Sequence, residues 1–156
     1  MIETIINTPK VLASNDAPIT YDGISALTRC TPCCNGGWLS YQNGSPIFKI
    51  LGNNYTGYYD AVFTGTISSA VAGTVALGLY EDGVLLPDTV RSVTVDADGL
   101  GTIAIVKSLK LCPKGMTSLS IQSVPSVITP SDPTTSTETE APILVSGTFR
   151  IDRDNG

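Results

Sequence analysis

From Gly57 to Ser68 the chain alternates apolar and polar positions. Tyr59, Ala61, Phe63, Gly65 and Ile67 share one face, and Tyr58, Asp60, Thr64, Thr66 and Ser68 share the other, with Val62 the exception. A period of two marks a half-buried antiparallel strand. A second strand follows, with Val75, Leu77 and Leu79 opposite Ala76, Gly78 and Tyr80. Glu81-Asp82-Gly83 closes it in a turn, because Asp-Gly accepts the positive φ angles of a tight hairpin.

The same grammar runs along the rest of the chain. Ile2–Ile6 and Val11–Ala13 are short apolar runs broken by Asn7-Thr8-Pro9, and Pro9 lacks a ladder donor, so residues 1–14 read as an N-terminal arm of edge strands. Trp38–Tyr41, Pro46–Leu51, Thr89–Val95, Gly101–Leu109 and Thr117–Val124 are further strands, separated by Asn-Gly and Asp-Gly turns. No apolar stripe keeps helical spacing for more than about two turns. Turns at short, regular intervals predict an all-β antiparallel sandwich or barrel. Residues 125–142, PSVITPSDPTTSTETEAP, are too polar to bury a core and read as a flexible loop. Ile143–Val145 and Phe149–Asp152 supply the last strand beyond it, so residues 1–156 form one domain and the loop projects from it.

Composition narrows the function classes. With no histidine among 156 residues, the commonest general base, the usual hydrolase triad and most catalytic zinc sites are lost together. No nucleophile elbow, phosphate-binding loop or dinucleotide fingerprint is present, and the expectation is no enzyme and no catalytic residue. A net charge of −5 with scattered cations offers nothing to nucleic acid or an anionic membrane. The N-terminus lacks the basic and apolar regions of a secretory signal, and no run approaches the roughly 20 apolar residues of a membrane span. Synthesis in a cytoplasm is the expectation. Asp96-Ala97-Asp98-Gly99 offers oxygen ligands, but far fewer than the six or more of a hard-cation site.

The cysteines are the one chemically pointed feature. Cys30 and Cys33 have C-x-x-C spacing, Cys34 adjoins them, and Cys112 stands apart. Free thiols at one end of the sandwich, a structural zinc site of all four, disulfides and a redox pair are the open readings. Zinc is thus the single cofactor candidate, and the expectation is none. Among the tyrosines, Tyr58 lies on the polar face beside Asp60, and these two are the candidates for a subunit interface.

Gly57-x-Tyr59-x-Ala61-x-Phe63, the hairpin Val75-Ala76-Leu77-x-Leu79-Tyr80-Glu81-Asp82-Gly83-Val84-x-Leu86-Pro87, and the terminal Ile151-Asp152-Arg153 together resemble the small TNF/C1q-like jelly rolls. The likeness is to those of bacteriophage virions and of collagen-like spore-surface proteins, and it covers about Leu12 to Arg153. The cysteine cluster and the 125–142 segment depart from it. The resemblance implies a two-sheet antiparallel jelly roll of about ten short strands that assembles as a homotrimer. It points to a non-enzymatic structural virion protein: a capsid decoration or head-fibre module of a bacteriophage, located on the capsid surface. Its partners would be other copies of itself and the major capsid protein or another virion protein, with Ile2, Ile5 and Ile6 as candidates for capsid anchoring. A module binding a host-surface glycan on the same trimeric fold is the alternative.

Overall fold

Three long strands carry the molecule: β6 (Gly57–Ser68), β10 (Leu100–Leu111) and β13 (Ile143–Asp154), each of 12 residues. The structure, a computed structural model, describes residues 1–12, 18–27, 38–51, 57–112, 115–124, 129–130 and 142–154. β6 lies between β10 and β13, antiparallel to both. β1 (Ile2–Ile6) and β3 (Gly23–Leu27) extend this sheet in the order β10-β6-β13-β1-β3, and β2 (Lys10–Val11) also pairs with β13. The second sheet runs β12-β7-β11-β5-β4, from β4 (Trp38–Tyr41), β5 (Phe48–Leu51), β7 (Gly73–Glu81), β11 (Met116–Ser123) and β12 (Thr129–Pro130). β8 (Val84–Leu85) and β9 (Arg91–Val95) pair with β7 from its other side.

Successive strands cross between the sheets, as β5, β6 and β7 do, so the architecture is an antiparallel two-sheet jelly-roll sandwich, the class expected. Ten of the described strands have four or more residues and three have two. The only described helical segment is the single 3₁₀ turn Pro87–Thr89. Thr89 fixes it: its buried hydroxyl accepts from the Leu79 amide at 3.0 Å and donates to the Leu86 carbonyl at 2.6 Å.

The alternation seen in β6 sets the core. Tyr59, Ala61, Phe63 and Ile67 are fully buried, facing Leu77, Leu79, Leu119 and Ile121 of the other sheet. Rings of Tyr21, Tyr41, Phe48, Phe63 and Phe149 meet edge-on or stacked at centroid distances of 4.5–6.3 Å. Burial pushes the Tyr21 phenol well above its ordinary pKa.

One expectation is corrected. The first run of the N-terminal arm is an interior strand: Ile2–Ile6 pairs with β13 on one side and β3 on the other, and only β2 lies at the periphery. Pro9 interrupts the chain after that strand is complete, so it places no limit on β1 itself. The last strand, expected from Ile143–Val145 and Phe149–Asp152, runs unbroken from Ile143 to Asp154, and a bulge between Leu144 and Ser146 shifts its register. Leu144, Phe149 and Ile151 thereby all face inward despite their mixed parity. Within the 125–142 segment, Thr129–Pro130 pairs with Thr74 and Gly73 of β7, and Pro142 accepts a bond from the Leu12 amide at 2.8 Å. The rest of that segment lies outside the described residues.

Candidate assembly face

The outward face of the six-stranded sheet is built by the positions that β6, β10, β13 and β1 turn away from the core. Its registers define cross-strand rows. At one end Leu100, Ser68, Ile143 and Val11 lie side by side. Thr102, Thr66 and Ser146 follow, then Ala104, Thr64, Thr148 and Ile5. None of these three rows contains a charged residue. Next come Val106, Val62, Arg150 and Glu3, then Ser108, Asp60 and Asp152, then Lys110 and Tyr58. Charge is thus confined to one half of the face.

Large apolar side chains stand open on this surface: Leu100 is 70% exposed, Val11 68% and Val106 61%. Between them runs a groove of about 290 Å³ lined by Ile5, Thr64, Thr66, Thr102, Ser146 and Thr148. Thr64 and Thr148 hydroxyls bond to each other across β6 and β13 at 3.0 Å. Gly65 and Gly147, opposed in the register, also border it. A Cβ at Gly147 would stand 2.8 Å from the Thr64 carbonyl oxygen, which explains the need for glycine there.

The two interface candidates from the sequence lie on this face. Tyr58 is 51% exposed at the start of β6. Asp60 is half-buried, and its Oδ1 accepts the Ser108 hydroxyl at 2.5 Å. Of the three anchoring candidates, Ile2 and Ile6 point into the core at 3% and 1% exposure, and only Ile5 faces outward. Cys112 is an exposed free thiol just beyond β10; Cys30, Cys33 and Cys34 lie outside the described residues. Asp98, in the Asp96–Gly99 turn, adopts φ 59°, and the Gly99 amide closes that turn onto the Asp96 carbonyl at 2.8 Å. Among the described residues no cluster of three or more Cys, Asp or Glu side chains is placed to hold a metal ion.

The sequence reading passed over Leu100, Val106, Val62, Arg150 and the threonine rows. One signal was available. Gly101–Val106, GTIAIV, carries no charge on either face, although a strand at the edge of a sandwich would ordinarily put charge outside. Beyond that run, Lys110 lies outward, while Lys107 at an inward position pairs with Asp88 of the 3₁₀ turn, which holds the Asp88 carboxyl below its usual range.

No protein-family model and no curated protein sequence matches the chain. Among solved structures, the globular domain of a zebrafish complement 1qA protein is similar, with a TM-score of 0.44 at 12% identity over 97% of this chain and 94% of that one. The jelly-roll assignment rests on the strand order described above.

Proposed function

We propose that the chain is a non-enzymatic structural module that forms a closed homotrimer through the outer face of its six-stranded sheet. In this reading it decorates the capsid, or forms part of a head fibre, of a bacteriophage. The observation that carries it is the uncharged, partly apolar half of that face, where Leu100 and Val11 stand exposed beside a hydroxyl-lined groove, with Val106 exposed in the next row. Large apolar side chains left open together on one uncharged face mark a candidate interaction site. A closed cyclic arrangement covers such a surface without propagating into fibres. The virion setting is supported by the resemblance of the β6–β8 motif and the terminal Ile151-Asp152-Arg153.

Light scattering tests the assembly. The expected mass is three times the 16.3 kDa chain, and Val106→Asp is expected to give a folded monomer. A wild-type monomer at micromolar concentration would reject the trimer. Mass spectrometry of purified particles tests the location, since a chain made in the host cell but absent from particles is no virion protein.

The alternative, a module that binds a host-surface glycan, draws on the same groove, whose five hydroxyl-bearing residues suit an uncharged polyol. Glycan-array binding that Thr64→Val abolishes would favour it over self-assembly.

A further inference from the structure

Arg150 sits near the middle of the face, between Val62 of β6 and Glu3 of β1 in the cross-strand register. It is exposed, and among the described residues no ion pair engages it. Opposite charges directly across an antiparallel pair normally attract, yet Glu3 is turned the other way. Its Oε1 accepts the Ser25 hydroxyl on β3 at 2.9 Å. One row further along, Asp60 and Asp152 are direct cross-strand partners. Two like charges so placed repel, and each turns to a group on its far side. Asp60 takes the Ser108 hydroxyl at 2.5 Å, and Asp152 faces the amino group of Met1 at 4.0 Å. Each copy therefore presents an unpaired cation and, two residues further along β13, a pair of carboxylates of which Asp152 alone has an ion pair, with the Met1 amino group.

We propose that Arg150 of one copy is the counter-ion of the Asp60–Asp152 pair of the next. This rests on the trimer reading above and adds the contact that sets its register. The occupant of the charged half of the face is then a second copy of this chain, because the face carries both signs and can complement itself. Arginine suits the role, since its planar fork can serve two carboxylates at once. Around a three-fold axis the contact repeats three times, head to tail. The uncharged rows contribute area, while the charged rows choose which registers are tolerated, since like-charge contact in a shifted register is costly.

Sedimentation of the full chain over a concentration series tests this. Arg150→Glu is expected to weaken association about tenfold or more. Arg150→Gln should weaken it less, and rising salt should loosen the wild type more than the Gln variant. Combining Arg150→Glu with Asp60→Arg and Asp152→Arg should restore most of the lost affinity, a rescue that a merely structural role would not give. Thermal melts matching the wild type confirm that each variant is folded. A wild-type trimer that Arg150→Glu and Arg150→Gln leave equally tight overturns the pairing alone. A wild type that is monomeric throughout overturns the trimer and the pairing with it.

Discussion

Asp22 shows how far one carboxylate can organise this chain. Its Oδ2 accepts the amides of Asn7 at 2.7 Å and Thr8 at 2.8 Å, and its Oδ1 accepts Lys10 Nζ at 2.5 Å. Those bonds fix the corner between β1 and β2. The Lys10 hydrogen bond foremost, with the Thr8 and Asn7 donors, holds the Asp22 carboxyl well below the usual carboxylate range. A group whose folded pKa is depressed contributes stability above its unfolded value, near 4, and loses it as pH falls through the folded value. Asp22→Asn is therefore expected to lower stability at pH 7 by about 1 kcal/mol, a modest figure because solvent reaches the pair. Urea unfolding at pH 7 and pH 3 checks this: the gap between wild type and variant should narrow at the lower pH, and an unchanged gap would refute it. Asp22 was not legible in the sequence. Its partners lie 12 to 15 residues away, and only the fold brings them together.

At the scale of elements, local chemistry was legible where it acts alone. Asp82 and Gly83 adopt φ of 51° and 81°, the left-handed pair that the Asp-Gly turn calls for, and β7 and β8 join there as a hairpin. A Cβ at Gly83 would meet nothing within 4 Å, so the requirement is purely conformational. Gly83→Val is expected to cost about 1–2 kcal/mol and Gly83→Asn much less, since Asn tolerates this region. In a chain of this size that separates the melting temperatures by a few degrees, and coinciding melts would refute it. Elements defined by distant partners were harder to read. Pro9 makes residues 1–14 read as edge strands, yet the neighbours of β1 are β13, from the far end of the chain, and β3, from beyond Pro9. The last strand itself was legible, but its bulge was not, because it breaks the period of two between Leu144 and Phe149.

For the whole molecule, the two sheets treat their outer faces differently, and that contrast motivates the proposed assembly surface. The seven-stranded sheet covers much of its own. Leu85 of β8 lies over Gly78, where an added Cβ would come within 2.5 Å of its Cδ1, and Tyr80, Ser120 and Gln122 are buried although they point outward. The six-stranded sheet leaves its uncharged rows open. In the sequence the threonines of β6 share a polar face with Tyr58 and Asp60, and only the register shows them beside Leu100, Ala104, Val106 and Ile5. Ile5 and Ile6 put the distinction to a test, because consecutive strand residues face opposite ways. Ile6 is 1% exposed in the core, and Ile5 lines the outer groove. Ile6→Asp buries an unpaired carboxylate and is expected to unfold the chain. Ile5→Asp should leave the far-ultraviolet spectrum and a cooperative melt intact while reducing the mass in light scattering from trimer to monomer. An Ile5→Asp variant that remains trimeric would show that this face is not where the copies meet.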